Sequence, residues 1–296
     1  MAVLDIGSYS VLLLVAERGE GGWVRLYEEC AITRLAEGLA LSGELTTQAM
    51  ERTLEACRRL LHTARSFEPE PLLAVGTMAL REASNAPRFI EALSNVSVDV
   101  RILSGEEEAR YSYLAVARDP TFGRMARDGG LVVVDVGGGS TEIVRAEAAS
   151  SLAIGASTLA EGFLGFGPCP QELVLAACEA ADVLFREAAG DAGGAICTVG
   201  ATGVNLACVA RALPFDPDAV HGARLPTATV VELRHRLCSM SPEDRAQLPG
   251  LEAGRETVIH AGALILERAL MALGAEEVGI SSRGLRWGLL EEPVPA

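Results

Sequence analysis

Two stretches of the chain share a pattern in which a buried apolar strand ends at an aspartate and a glycine turn. Residues 1–18 read MAVLDIGSYSVLLLVAER, and residues 131–144 read LVVVDVGGGSTEIV. Runs of aliphatic and β-branched residues of this length predict buried strands. Glycine allows the turn to adopt conformations that bring its backbone amides close to an anion. Each stretch therefore predicts a β-hairpin that presents a carboxylate and hydroxyl groups at its turn.

The repetition predicts two similar halves of the molecule. Asp5-Ile6-Gly7-Ser8 aligns in kind with Asp135-Val136-Gly137-Gly138, and in each case Ser and a mostly apolar strand follow. A polar turn facing water explains one such hairpin on its own. Two copies of one rare arrangement instead favour a binding function, in which the two strand-end aspartates share a metal ion bound to phosphate.

Helices and strands alternate through the rest of each half. Helical periodicity predicts helices at 49–64, 171–188, 227–239 and 253–273, and short apolar runs predict strands at 23–31, 72–75, 98–103, 151–154, 195–199 and 278–280. A meander followed by alternating helix and strand predicts an α/β fold with mixed sheets. The polar link at 119–130, which contains Pro and Gly, predicts a domain boundary near residue 118 and hence domains 1–118 and 119–296.

Two strand-to-helix junctions carry further candidate phosphate-binding groups. Thr77 and Arg81 follow the strand at 72–75, and both a helix N-terminus and a guanidinium favour anions. The alternative is that Thr77 only caps the helix and Arg81 lies on the surface. Gly200 and Thr202 follow the strand at 195–199 and have similar chemistry, although a tight packing turn explains this small-residue junction equally well.

Three consecutive glutamates, Glu106, Glu107 and Glu108, begin the helix that follows Ser104. Acidic residues in a first turn suit the helix dipole, and this is the structural explanation of the cluster. Three successive positions cannot share one helix face, however, so one of the glutamates could reach a cleft as a general base. Periodicity alone does not choose among them.

Composition narrows the classes of function. The net charge is −15, and all 25 cationic residues are Arg, so the acidic surface argues against nucleic acid and anionic membranes as partners. A polyanionic substrate would then need local Arg side chains and metal ions. The seven scattered cysteines and four separated histidines argue against a disulfide framework or a zinc site, and they predict a cytoplasmic location. The sequence shows no secretion signal and no apolar run that spans a membrane.

Several further segments form a specific set together with the hairpins. They are DIGS at 5–8, GTMALREASN at 76–85, SGEEEARYSYLAV at 104–116, DVGGGSTEIV at 135–144, VGATG at 199–203, LPGLEAGRETVIHAG at 248–262 and SSRGLRWGLL at 281–290. This set resembles the exopolyphosphatase and guanosine pentaphosphate phosphohydrolase (Ppx/GppA) family, within the actin-like ATPase superfamily. The hairpins alone indicate only the superfamily, whereas the S-G-x-E-E-A-R segment is far more specific.

The resemblance implies two ribonuclease-H-like (actin-like) domains with mixed five-stranded sheets facing across a cleft, and Mg²⁺ at the phosphoryl group. The family's catalytic glutamate precedes the Ala of the E-A-R triplet, which is Glu108 here, so Glu108 would activate or orient water for in-line attack. Asp5, Asp135 and Glu142 would be catalytic residues that serve the metal. The implied phosphate-binding groups are Ser8, Ser10, Thr77, Arg81, Gly137, Gly138, Gly139, Ser140, Thr141, Gly200 and Thr202.

The leading hypothesis is a Mg²⁺-dependent phosphohydrolase that releases terminal phosphate from inorganic polyphosphate or the 5′ γ-phosphate from guanosine pentaphosphate. Tyr9 replaces the Asn of the family's D-x-G-S-N-S hairpin, and Leu12 stands where the family often has Arg. These departures motivate the alternative of a catalytically weak guanosine tetraphosphate- or pentaphosphate-binding regulator. A small-molecule kinase fits the hairpins but leaves the Glu108 segment unexplained. Short substrates are expected because the additional helical domains of longer members are not seen, and the apolar late helices are compatible with a homodimer.

Overall fold

The computed structural model describes residues 1–128, 130–190 and 193–292, whose strands form two mixed sheets. The strands are β1 Ala2–Ile6, β2 Ser10–Gly19, β3 Gly22–Ile32, β4 Leu72–Gly76, β5 Val100–Ile102, β6 Leu131–Val136, β7 Thr141–Val144, β8 Ala149–Leu152, β9 Ala195–Val199, β10 Arg224–Pro226 and β11 Glu277–Ile280. The strand orders are β3-β2-β1-β4-β5 and β10-β11-β9-β6-β7-β8.

Helices connect these strands. They are α1 Leu39–Ser42, α2 Thr47–Arg65, α3 Met78–Glu82, α4 Ala86–Ser94, α5 Gly105–Ala117, α6 Gly123–Arg127, α7 Ala156–Leu159, α8 Gln171–Ala188, α9 Gly200–Ala210, α10 Pro217–Val220, α11 Thr227–Ser239, α12 Pro242–Ala246, α13 Ile259–Ala272 and α14 Leu285–Glu291, with a π-helix at Ala160–Leu164. Across the described ranges, none of the helices is long and apolar enough to cross a membrane.

Both sheets follow one plan. The first strand of each, β1 or β6, pairs antiparallel with the next strand of a meander and parallel with the strand that follows the first long helix of its half. The prediction of an α/β fold with two mixed sheets is therefore confirmed. The second sheet has six strands, however, because β10 pairs antiparallel with β11 at the sheet edge. Its three residues are too few to form a recognisable pattern, and proline is tolerated at such an edge.

Contacts divide the chain into two compact units, one comprising Met1–Glu108 with the final segment from Leu289, and the other Ala109–Gly288. In the first unit Leu4, Leu60 and Phe89 belong to one buried core. In the second, Ala109 and Val116 of α5 pack in a core with β6. The division therefore falls inside α5, whereas the change in composition predicts it at residue 118, because the apolar face of α5 is buried beyond Glu108.

Several element ends differ from the predicted ones. Strand β5 is confined to Val100–Ile102, and β8 begins and ends two residues earlier than predicted. Helix α13 begins at Ile259 rather than at residue 253. The intervening residues form turns, and Gly254 has a φ of +90°, which a continuous right-handed helix does not allow.

Candidate active site

The two glycine hairpins close in the same way. In the first, the Gly7 amide donates a hydrogen bond to the Ser10 carbonyl at 3.0 Å, and in the second the Gly137 amide donates to the Ser140 carbonyl at 2.9 Å. A Cβ atom on Gly7 or Gly137 would lie only 3.1 or 3.0 Å from that same carbonyl oxygen. Each turn thus leaves little room for a side chain at the equivalent glycine, so the repeat seen in the sequence is also a repeat of backbone geometry.

Two carboxylates project from the second hairpin toward one side of its sheet. Asp135 and Glu142 are Cα partners in the antiparallel pair of β6 and β7. Such residues face the same side, with Cβ atoms about 4.5–5.5 Å apart. The Ser112 hydroxyl donates to Asp135 Oδ2 at 2.6 Å, and the Ser151 hydroxyl donates to Glu142 Oε1 at 2.8 Å. Each serine therefore fixes one oxygen of its carboxylate.

The environment of this carboxylate pair suits a divalent cation. Glu142 is buried, and removal from water raises the pKa of Asp135, although the hydrogen bond from Ser112 opposes that rise. A cation would offset the cost of keeping both groups ionised. Residues 1–128, 130–190 and 193–292 contain no group of three or more His, Cys, Asp or Glu side chains that could hold a metal. Mg²⁺ is commonly held by one or two carboxylates together with water and substrate phosphates, so the pair fits this ion.

The position opposite the aspartate is apolar in the first hairpin. Asp5 is buried at the end of β1, and its Cα partner on β2 is Leu12, where the second hairpin has Glu142. Tyr9 is also buried, and its carbonyl accepts a hydrogen bond from the Arg34 amide at 2.8 Å. The Arg34 guanidinium lies 5.9 Å from the centre of the Tyr9 ring. Arg34, in the loop after β3, therefore places a positive charge near the first hairpin, where Leu12 supplies none.

The hydroxyl residues of the first unit gather around the same turn. Ser8, Ser10 and Thr77 are all buried. The Thr77 amide donates to the Ile6 carbonyl at 3.3 Å, and a Cβ atom on Gly7 would lie 4.0 Å from Thr77 Oγ1. Thr77 precedes α3 but makes no side-chain capping hydrogen bond. Thr77 therefore occupies the N-cap position of α3 without using its hydroxyl as a cap, and its role as a phosphate contact stays a prediction.

The structure distinguishes the three glutamates at the start of α5. Glu107 and Ser104 form a reciprocal capping box, with the Ser104 amide 2.9 Å from the Glu107 carboxylate and the Glu107 amide 3.1 Å from the Ser104 hydroxyl. Glu106 is exposed. Glu108 is only 12% exposed, and one of its carboxylate oxygens accepts a hydrogen bond from Arg81 Nη1 at 2.5 Å. Glu107 is also paired with a guanidinium, that of Arg101 at 2.6 Å, but its side chain is 31% exposed, so Glu108 is the least exposed of the three.

Arg81 is half-buried at the edge of the first unit. Its side chain is 25% exposed, and Nη1 donates to the Leu103 carbonyl at 2.8 Å as well as to Glu108. The carbonyl at the end of β5 thus fixes the guanidinium, which in turn fixes the glutamate. Arg81 is thus half-buried, and the contact with Glu108 gives it a positioning role that the sequence did not suggest. Its role as a phosphate contact stays a prediction.

The glycine turn of the second unit is supported by the start of α7. The Ser157 amide donates to the Gly138 carbonyl at 2.8 Å. Gly155 approaches so closely that a Cβ atom there would lie 2.4 Å from the Gly138 oxygen. The amides of Gly138 and Gly139 donate no hydrogen bond within the described parts of the chain. They are therefore available to bind an anion, as the sequence predicted for this turn.

Two predicted phosphate-binding hydroxyls are instead used within the second unit. Thr141 is fully buried and donates to the Ile154 carbonyl at 2.6 Å. Thr202 is also buried and donates to the Val136 carbonyl at 3.3 Å. A hydroxyl has a single proton to donate, so both side chains tie backbone segments together and do not offer that proton to a phosphate.

The other predicted residues of the second unit lie near the carboxylates. Gly200 has a φ of +81°, and a Cβ atom there would lie 3.0 Å from Asp135 Oδ1. Both its conformation and the available space therefore exclude a side chain. Ser140 is buried at the end of the glycine turn, where its carbonyl closes the hairpin.

Four residues that the structure places at these turns, Arg34, Ser112, Ser151 and Gly155, were not predicted as site residues. Ser112 lies four residues after Glu108 on α5, and this helical spacing is a signal that could have been used. The hydrogen bond from Ser151 to Glu142 depends on the register of β7 and β8, which the sequence does not predict. Gly155 precedes a helix, as many glycines do, and the pattern gives no sign of its close backbone contact.

The chain matches the model of the Ppx/GppA phosphatase family over residues 14–296. Exopolyphosphatase 1 of Mycobacterium leprae is 31% identical to it over 303 residues, covering 98% of this chain and 88% of that protein. The guanosine-5′-triphosphate,3′-diphosphate pyrophosphatase of Aeromonas hydrophila is 30% identical to this chain. The match covers 98% of this chain and 58% of the Aeromonas protein. The crystal structure of the Aquifex aeolicus Ppx/GppA family member has a TM-score of 0.81 at 31% identity, covering 98% of this chain and 96% of that one.

Proposed function

Because the chain belongs to the Ppx/GppA phosphatase family, we propose that it releases terminal phosphate from inorganic polyphosphate or the 5′ γ-phosphate from guanosine pentaphosphate. The names of the similar proteins, exopolyphosphatase and guanosine-5′-triphosphate,3′-diphosphate pyrophosphatase, both describe hydrolysis of a phosphoric anhydride bond. These names give no support to the alternative of a weakly catalytic regulator. The observation that carries the proposal is the shielded Glu108 carboxylate held by Arg81.

In the proposed reaction, Glu108 orients a water molecule for in-line attack on the terminal phosphorus and accepts its proton. A bond forms between the water oxygen and phosphorus, and the bridging P–O bond breaks on the opposite side. The leaving group is the chain or nucleotide shortened by one phosphate. Arg81 keeps the carboxylate in one orientation, which maintains the geometry of attack.

In the second unit, the amides of Gly138 and Gly139 bind phosphate oxygens and stabilise the charge of the transition state. In the first unit, Ser8, Ser10 and Thr77 form the corresponding group of hydroxyls. Mg²⁺ would be held by Asp135 and Glu142, and when bound it would neutralise charge on the phosphoryl group. A metal-binding role for Asp5 stays a prediction. This requirement for Mg²⁺, the cytoplasmic location and the homodimer stay predictions.

The direct test is phosphate release by the purified chain with Mg²⁺, using short polyphosphate, long polyphosphate and guanosine pentaphosphate as separate substrates. Release from at least one of them is expected, and the preferred substrate defines the activity. Tight binding of guanosine tetraphosphate in calorimetry without release from any substrate would instead favour the regulator.

We expect Arg81→Ala to lower kcat for phosphate release at least about tenfold, because Glu108 loses the group that orients it. Added guanidinium ion should restore part of the rate, since it can occupy the vacated position. Arg58→Ala is the matched control because Arg58 forms an exposed ion pair with Glu55, and it should leave kcat unchanged. A wild-type kcat in Arg81→Ala would contradict the positioning role.

Substrate length should affect the rate in a salt-dependent way. With a net charge of −15, the chain repels a long polyanion more strongly than a short one. Raising the salt concentration from roughly 20 to roughly 200 mM screens that repulsion. We therefore expect kcat/KM for long polyphosphate to increase relative to that for short polyphosphate. A constant ratio across this range would show that long-range repulsion does not set the length preference.

A further inference from the structure

Two cysteines in the second unit lie next to each other, although they are far apart in sequence. Cys169 lies in the loop between the π-helix and α8, and Cys238 lies in the last turn of α11. The Cys169 amide donates to the Cys238 carbonyl at 2.7 Å. Covalent geometry then places the two Cα atoms at most about 6.6 Å apart. Disulfides span Cα separations of about 4.4–6.8 Å, so this pair is within reach of a bond.

The two thiols differ in their access to solvent. Cys169 is half-buried in a surface loop, where the neighbouring Pro168 and Pro170 are exposed. Cys238 is only 5% exposed. Both are free thiols in the structure. Cys169 is therefore the sulfur that meets a reagent first, and Cys238 is the sulfur behind it.

A buried cation lies beside this pair. Arg245 is fully buried, and its guanidinium donates to the backbone carbonyls of Leu237, Phe166, Gly167 and Glu256. In the described parts of the chain no carboxylate forms an ion pair with it. The Gly167 oxygen lies 3.1 Å from Arg245 Nη2 and 3.6 Å from Cys169 Sγ, so the guanidinium and the sulfur share a neighbour. An anion at Cys169 would compensate the buried charge.

His260 provides a second polar group at the same place. It is fully buried, and its Nε2 lies 2.9 Å from the Gly165 carbonyl, which can only accept a hydrogen bond. Its Nδ1 is buried and makes no hydrogen bond to the rest of the described chain. The neighbouring Cys238 thiol, and after it the nearby His260 and the Arg245 charge, lower the pKa of Cys169 to about 5 although burial opposes this, and the same pairing raises the pKa of Cys238. By contrast, burial raises the pKa of Cys57 to about 12.

From this cluster of two thiols, a guanidinium and an imidazole, we infer that Cys169 and Cys238 form a peroxide-reactive dithiol, in which Cys169 is the nucleophile and Cys238 the resolving thiol. In the first step the Cys169 thiolate attacks hydrogen peroxide, the O–O bond breaks, and Cys169 becomes a sulfenic acid while hydroxide leaves. In the second step Cys238 attacks the Cys169 sulfur, the S–O bond breaks, and a disulfide forms as water leaves. Two thiols are oxidised by two electrons and one peroxide is reduced. Reversible disulfides of this type are the kind found in reducing compartments.

The full chain with limiting hydrogen peroxide provides the test. After peroxide treatment and thiol labelling, peptide mapping should show a crosslink between the Cys169 and Cys238 peptides, with the other cysteines still labelled. Dithiothreitol should reverse it. Cys169 should be lost at least about tenfold faster than Cys178, which is also half-buried but lacks this surrounding cluster. This comparison uses the wild-type chain and so does not depend on the folding of a variant.

Variants separate the two roles. Cys238→Ser should stop at the sulfenic acid, which a dimedone probe traps at Cys169, whereas Cys169→Ser should leave Cys238 unreacted. Cys178→Ser, the control, should form the crosslink at the wild-type rate. Oxidation of Cys169 no faster than that of Cys178, or a crosslink that does not contain Cys238, would overturn the inference. Neither result bears on phosphate release, so the proposed function is tested separately.

Discussion

Replacement of Glu108 by Gln is expected to lower kcat for phosphate release by about 10²–10⁴-fold without disturbing the fold, which is the usual contribution of a general base. Gln has nearly the same size and can still accept a hydrogen bond from Arg81, but it cannot take a proton from water. Steady-state phosphate release measures the loss, and thermal unfolding with circular dichroism checks that the variant is folded.

The two neighbouring glutamates supply matched controls on the same helical turn. Glu106→Gln alters an exposed side chain and should retain the wild-type rate. Glu107→Gln alters the capping box with Ser104, so it should affect stability at most modestly and kcat little. Equal losses in all three variants would show that the charge of the α5 terminus, and not Glu108 itself, is what the reaction requires.

Gly155→Ala is expected to lower kcat/KM for phosphate release by at least about 10², the cost of removing one oxyanion-binding donor. The new Cβ atom would meet the Gly138 oxygen at 2.4 Å and the Gly139 carbonyl carbon at 2.5 Å, so the turn must shift and its amides lose their positions. The backbone cannot rotate away as a flexible side chain can, and the variant should also unfold at a lower temperature.

Gly162→Ala is the control for this substitution. Gly162 is also in the second unit, and a Cβ atom there would have nothing within 4 Å. It should therefore keep the wild-type rate and Tm. If Gly155→Ala released phosphate as fast as Gly162→Ala, the close contact between the start of α7 and the glycine turn would have no role in catalysis.

The hairpins were predictable because their physical signals are local. A buried strand that ends at Asp135 before three glycines is compatible with few structures other than a hairpin. The repeat of this pattern at Asp5 indicated two similar halves, and the structure has two similar sheets. The choice of Glu108 among three glutamates was different, because periodicity showed only that the three could not act together and the resemblance was needed to select one. The fold adds what neither could show, which is that Glu108 is the least exposed of the three and is held by Arg81, a partner 27 residues away in sequence.

Other features that the sequence did not predict have specific physical causes. Thr141 and Glu142 are successive strand residues, so they face opposite sides, and alternation could have shown that both cannot line one site. Strand β10 pairs through only three residues, too few for any pattern. The close approach of Gly155 to Gly138 is a contact between backbone atoms, so the pattern of side chains does not predict it.

The most direct test of the proposed chemistry is the fate of the water oxygen. Polyphosphate of defined length should be hydrolysed in ¹⁸O-labelled water, with the released phosphate and the shortened chain analysed by mass spectrometry. Attack on the terminal phosphorus predicts one ¹⁸O atom in the released phosphate, none in a chain shortened by one unit, and almost no product from the Glu108→Gln variant. Label in the remaining chain, or cleavage into two long fragments, would contradict the account.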